Sequence, residues 1–297
     1  MRTMHRYVLE HRVSHADVDL LGEVKIAALL GLLEQAAVEA SWDCGFGPEW
    51  YTAAGRVWII RRTRLERWTP VGGGDWLRTS TAVLDWRRAR SLRSYDVRRA
   101  ARDVGAGEEA LLVASATTDW VYCDIARGRP MKIPEEMQRA FSGDGPLTTL
   151  PRARPLAASG AGDPVEMATI VRPSLLDHVT HVNNAAYADL LEDGAFELFA
   201  AHELGIDQML ARGGALRVRR IDIEYLDDAV AGDRLVVRSW LAPGAECTIA
   251  AIGSGETRRT AHLVQTIARE SGSDILRAES DWVWRERPAV LGGVPPG

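Results

Sequence analysis

The chain repeats itself. Placing Asp19 on Asp177, an offset of 158 residues, lays LLEQAAVEA (32–40) on LLEDGAFEL (190–198). With no gap, RLERWTPVGGGDWL (64–77) then falls on DIEYLDDAVAGDRL (222–235). TDWVY (118–122) matches SDWVW (280–284) at an offset of 162, so about four residues are inserted between. A helix start, a strand, a Gly-Asp turn and a closing strand recur in the same order. Self-similarity over such a period is the mark of a duplicated folding unit. It divides the chain into residues 1–141, a connecting segment 142–164, and residues 165–297. The segment 142–164 is rich in Gly, Pro, Ala and Ser and lacks periodicity, which is linker chemistry.

Within each copy the hydrophobic spacing sets the elements. Residues 24–42 carry apolar groups at 26, 29, 30, 33 and 37, and residues 185–200 at 187, 190, 191, 195, 198 and 199. Both spacings predict a largely buried helix. Residues 56–67, 75–86, 91–101 and 109–122 read as strands, repeated at 217–227, 233–242, 246–253, 258–270 and 275–285. One long helix followed by four or five antiparallel strands, twice, predicts an α+β chain in which each sheet wraps a central helix. An edge strand left open in one copy is covered by pairing with the other.

Composition narrows the function. The net charge of −5 excludes a protein built as a whole to hold nucleic acid. No apolar run reaches the length of a membrane-spanning helix. The opening MRTMHRYVLEHRVSHAD lacks the apolar stretch of a secretory leader, so a cytoplasmic location is expected. The cysteines, Cys44, Cys123 and Cys247, are odd in number, widely spaced and without a CxxC pair, which fits a reduced protein with no structural metal.

The densest chemistry lies in DHVTHVNN (177–184), immediately before the second long helix. Asp and Asn favour helix caps, so a polar capping turn is one reading. A metal site using Asp177, His178 and His181 is another, but no fourth ligand is evident. The third is an active site. Unpaired N–H groups at a helix start carry partial positive charge and can hold the oxyanion of a carbonyl under attack. In that reading Asp177 is a nucleophile or general base, and His181 orients that carboxylate or the water, or protonates the leaving group. The first copy has Glu23 in place of His181, Lys25-Ile26 in place of Asn183-Asn184, and Pro70 in place of Asp228. One working site, on the second copy, is therefore expected.

DHVTHVNNAAY (177–187) resembles the Asp-x-Asn-x-His-Val-Asn-Asn-x-x-Tyr motif of acyl-acyl carrier protein thioesterases, a double hotdog family. DWVYCDIARGRPMKIPEEM (119–137) is similar to that family's strand, Arg-containing turn and Lys-Ile-Pro end. RVWIIRRTRLERW followed by GDWL looks like its Trp-containing strand and Gly-Asp turn. The resemblance implies a tandem double hotdog, with a degenerate first copy that supplies the acyl pocket and a catalytic second copy. It implies Asp177, His181 and Asp228 as catalytic residues, with Asp228 on the strand that bears the family's glutamate, one methylene shorter. Asn183 and Asn184 are the implied substrate-binding residues. Val179 stands where the family has asparagine, and Ala229 where relatives sometimes have cysteine.

The expected activity is hydrolysis of an acyl thioester, first of all acyl-acyl carrier protein, to free acid and carrier thiol, as in fatty acid biosynthesis. No cofactor is expected. The partner is a carrier protein or coenzyme A thioester, and the two fused copies already form a pseudo-dimer, so a monomer suffices. The alternatives are an acyl-CoA or polyketide-releasing thioesterase, a hotdog hydratase or dehydratase, and an acyl-thioester-binding protein without turnover. RRARSLRSYDVRRAAR (87–102), with seven arginines, reads either as a solvated strand face or as a landing patch for an acidic carrier.

Overall fold

A computed structural model describes residues 4–100, 111–142, 153–242 and 260–286. The first half begins with strand β1 (Tyr7–Arg12) and the long helix α1 (Ile26–Asp43), followed by a short helix α2 (Pro48–Ala54). Four antiparallel strands follow: β2 (Arg56–Arg67), β3 (Trp76–Arg87), β4 (Arg90–Arg99) and β5 (Leu112–Asp124). The two-residue β6 (Arg129–Pro130) and helix α3 (Glu135–Ser142) complete this half. The second half repeats the plan with β7 (Val165–Ile170), α4 (Ala186–Ala201), α5 (Ile206–Ala211), β8 (Gly214–Tyr225), β9 (Arg234–Leu241), β10 (Thr260–Arg269) and β11 (Asp274–Glu286). Both long helices fall within a residue or two of the sequence expectation. So do most strand ends. The strand expected at 246–253, and Cys247, lie outside the described residues.

The sequence reading missed the strand ahead of each long helix. YVLEHR and VEMATI alternate half-buried and exposed side chains, as one-sided edge strands do. They are only six residues long and carry charge on the open side, so their pattern is weak.

The strands form one sheet in the order β1-β3-β4-β5-β2-β8-β11-β10-β9-β7, with β6 beside β5. The halves join edge to edge through β2 and β8, so the edge left by one copy is closed by the other. Arg64 faces Asp222 in that ladder, and the two are equivalent positions of the repeat. A pseudo-two-fold axis therefore passes through this pair, as in an isologous dimer. The register is complementary in charge on both sides, with Arg62 opposite Glu224 and Glu66 opposite Arg220. Arg62 also grips Asp222 with two nitrogens, at 2.6 and 2.8 Å, in a buried bidentate pair.

The repeat is exact in local geometry as well. Asp75 caps its turn by accepting from the Gly72 N–H, and Asp233 does the same from Val230. Gly74 and Gly232, one residue before each aspartate, have φ of +91° and +88°, a region that side chains disfavour. Both β2 and β8 bulge at the same repeat position, at Arg61 and Arg219.

The described part of the connecting segment lies pinned on the second half's sheet. Leu156 is buried, its N–H donates to Glu224, and the Ala157 N–H donates to Glu279. Arg154 pairs with Glu279 and offers its carbonyl to Arg62. A Cβ on Gly160 would sit 2.3 Å from Trp240 Cβ, so only glycine lets the strap approach this closely.

The Arg-rich segment is not a uniform patch. Arg90 pairs with Asp119, Arg99 with Asp75, and Arg93 is buried inside the first half. Among the described residues, ion-paired and exposed arginines carry most of that charge.

Candidate active site

The loop before α4 is built by hydrogen bonds that the sequence makes locally. Asp177 Oδ1 accepts from the Val179 N–H at 2.9 Å, an Asx turn. Thr180 N donates to Asp177 O, and Asp177 N donates to His181 O, closing a tight turn. Thr180 sits in the left-handed region, at φ +66°, whereas its repeat counterpart Gly22 occupies the same region freely. A β-branched residue in this conformation is strained, and such strain gathers at functional sites. Val182 N then donates to Ala229 O, and His181 bridges to Val230, which ties the loop to the β8–β9 turn.

The sequence-predicted residues fall into two adjacent groups. His181 Nδ1 lies 3.4 Å from Asp228 Oδ2, and both side chains are substantially exposed, at 42% and 57%. Asp228 stands beyond the end of β8, in the turn, not on the strand as the sequence reading had it. Arg269 steadies this turn by pairing with Asp227 and Asp233 and by donating to the Asp228 carbonyl.

Asp177 is half-buried and lies within electrostatic reach of Glu34 of α1, a residue of the first copy. Burial holds the Glu34 carboxyl above its usual range. The Asp177 charge adds to that, while hydrogen bonding from Asn183 and the nearby His178 oppose it. Asn183 has a double role. Its Oδ1 accepts from the Ala185 N–H at 2.8 Å, capping the start of α4, and its side chain also reaches Glu34. Asn184 offers its carbonyl to the hydroxyl of Tyr225, a buried residue that also lies near Glu34 and Thr63. His178 is exposed, and among the described residues no three His, Cys, Asp or Glu side chains are arranged to hold a metal ion.

Glutamate stands at the same position of both long helices, Glu34 in α1 and Glu192 in α4. The structure crosses them between the halves: Glu34 lies within electrostatic reach of Asp177, and Glu192 shares Arg217 with Asp19. The signal was present in the repeat, since the same helix position carries glutamate in both copies.

The pseudo-symmetric position is closed. Arg217 of β8 is 2% exposed, and its Nε lies 2.7 Å from Asp19, with Glu192 at 3.8 Å from its Nη1. Arg67 of β2, equally buried, lies 3.6 Å from Glu23 and donates to the Val24 carbonyl. Two buried guanidinium groups thus neutralise the acids there. The repeat places Ile59 where Arg217 stands and Tyr225 where Arg67 stands. Among the described residues neither Asp177 nor Glu34 has an ion-pair partner. One loop of the pair is locked by cations, and the other carries Asp177 ahead of α4 with no cation paired to it among the described residues.

Known proteins share this architecture. A Lactobacillus plantarum protein assigned as an oleoyl thioesterase superposes with a TM-score of 0.76 at 17% identity, covering 97% of this chain and 98% of the other. An acyl-ACP thioesterase from Bacteroides thetaiotaomicron gives 0.68 at 15% identity, over 94% and 98%. The 12:0-ACP thioesterase of Umbellularia californica gives 0.68 at 18%, over 94% of each chain. At these identities the likeness is one of fold, a double hotdog. The sequence itself matches the thioesterase-like superfamily twice, over residues 13–141 and 171–287, and the chain belongs to that superfamily.

Proposed function

We propose that this protein hydrolyses acyl thioesters at the α4 start, with acyl-acyl carrier protein as its substrate. The observation that carries this reading is the unneutralised Asp177–Glu34 pair beside the helix N-terminus, set against the arginine-locked copy of the same loop. In this reading Asp177 is the catalytic acid group, acting on water as general base or attacking the carbonyl itself. The carbonyl oxygen takes up negative charge as the C–O bond forms, and the N–H groups at the start of α4 stabilise it. The C–S bond then breaks, and the departing thiolate takes a proton. His181, set against Asp228, is placed to supply it, and Asn183 and Asn184 shape the carbonyl's seat. On the direct-attack route water then opens the acyl-Asp177 anhydride, releasing the free acid and restoring the carboxylate. Residues 165–297 act as the catalytic half and residues 1–141 as the half that receives the acyl chain. A cytoplasmic monomer in fatty acid biosynthesis fits this reading.

The test is free-thiol release from matched acyl-carrier, acyl-CoA and acyl-pantetheine thioesters. Faster turnover of the carrier-bound acyl group supports the reading. Tight binding with no thiol released from any of them overturns it in favour of a binding protein.

Glu34 makes a separate prediction. Its folded-state carboxyl titrates above the unfolded range, so its ionisation costs stability. That cost is absent below the unfolded pKa and fully present above the folded one. Glu34→Gln is therefore expected to raise the melting temperature at neutral pH, with the gain fading as pH falls toward about 4. Thiol release is expected to drop, because the anchor for Asn183 changes. Melting curves across pH check the sign: destabilisation at neutral pH contradicts it.

A further inference from the structure

The two interiors differ in a way the proposed hydrolysis does not require. On the inner face of β10, Leu263 lies opposite Ser280 and is fully buried. The equivalent position on β4, opposite Thr118, is Arg93. Arg93 is 6% exposed, and among the described residues no carboxylate lies within ion-pair distance. It donates one hydrogen bond to Thr81 Oγ1 at 3.3 Å and lies over the face of Phe141, 5.2 Å from the guanidinium carbon, with only the neutral groups of Tyr95, Tyr51 and Cys44 near it besides. Burying a cation with so little compensation is costly. The cation–π contact with Phe141 returns only part of it.

The helix over Arg93 is also thinned. In the second half Phe199 and Leu198 fill the space under α4, and Phe199 stacks edge-on against Trp282 at 5.2 Å. The repeat puts Ser41 and Ala40 at those positions of α1. The buried apolar side chains of the first half accordingly fall into two clusters. Arg93 stands between them, beside Tyr95 of one and Phe141 of the other. Tyr95, two residues along the same inner face of β4, lies within electrostatic reach of both Arg93 and Glu34.

Resting on the hydrolase reading above, we infer that the acyl group this protein accepts ends in a carboxylate, which Arg93 receives at the far end of the first half. A planar guanidinium already stripped of water suits a carboxylate through paired hydrogen bonds. A site built for such a group discriminates strongly against a methyl terminus, because the plain chain leaves the cation buried and unpaired.

The experiment compares alkanoyl, ω-hydroxyalkanoyl and ω-carboxyalkanoyl thioesters of one length on one carrier, with native protein and Arg93→Leu. Binding of the matching free acids is followed by tryptophan fluorescence, which needs no turnover. The native protein is expected to favour the ω-carboxy chain by about 10- to 100-fold in kcat/KM, and Arg93→Leu to reverse the order. Arg93→Lys, which keeps the charge but loses the fork, is expected to retain part of the preference and serves if the leucine variant does not fold. A native preference for the plain or hydroxy chain overturns the inference, as does an equal loss on all three substrates in Arg93→Leu. Arg93-dependent binding of the ω-carboxy acid without hydrolysis of any thioester sinks the hydrolase reading and leaves the carboxylate site standing. Hydrolysis of plain chains with no ω-carboxy preference does the reverse.

Discussion

Asp177→Asn is expected to reduce thiol release by about 10²–10⁴-fold, the usual worth of a general base or more. Its melting temperature is expected to stay close to that of the native protein. The side-chain oxygen of asparagine still accepts from the Val179 N–H, so the turn that Asp177 closes survives. What is lost is the charge that activates water or attacks carbon. Retained thiol release in a folded Asp177→Asn protein would move the chemistry elsewhere, with Glu34 the first candidate because it lies near Asp177. The equivalent change in the other copy, Asp19→Asn, is expected to leave turnover near native, since that carboxylate is spent on Arg217.

The largest effect on stability is expected at Arg217. Arg217→Ile installs the residue that the repeat carries at position 59, yet leaves Asp19 and Glu192 buried with no cation between them. Breaking a buried pair from one side destabilises by about 3–5 kcal/mol. Burial and the Asp19 charge already hold the Glu192 carboxyl high, and Arg217 opposes them. Without Arg217 the carboxyl is held higher still, so the loss is greatest at neutral pH and shrinks in acid as the group takes a proton. Adding Glu192→Gln and Asp19→Asn to Arg217→Ile is expected to restore much of the stability. Denaturant unfolding at pH 5 and pH 8 compares the native protein with both variants. An Arg217→Ile protein as stable as native at pH 8 would show that the locked copy is not held by its charges.

Much of this architecture is written locally. The Gly-Asp turns are legible because aspartate accepts from a backbone N–H three residues back and glycine alone enters the positive-φ step freely. The helices are legible because their buried faces recur at helical spacing. The edge strands β1 and β7 are not, because six residues with one solvated face carry too few apolar positions to stand out. Asp228 was legible as a neighbour of His181 but not in its place: the strand ends three residues earlier, where the chain turns and Arg269 holds the turn's acids.

From its order of residues alone the protein declared its duplication, its two buried helices, its single polar loop with Asp177, His181, Asn183 and Asn184, and the loss of that loop's chemistry in the first copy. Those features depend on neighbours close in the chain, or on comparison of one copy with the other. Tertiary structure alone decided that Glu34 lies near Asp177 of the opposite copy, that Arg217 and Arg67 pair with the acids of the first-copy loop, and that Arg93 lies buried with no carboxylate beside it among the described residues. Each of these depends on the β2–β8 seam or on the packing of a helix over a sheet. Such contacts join groups far apart in sequence, and in the low-dielectric interior a charge is governed by what folding sets beside it.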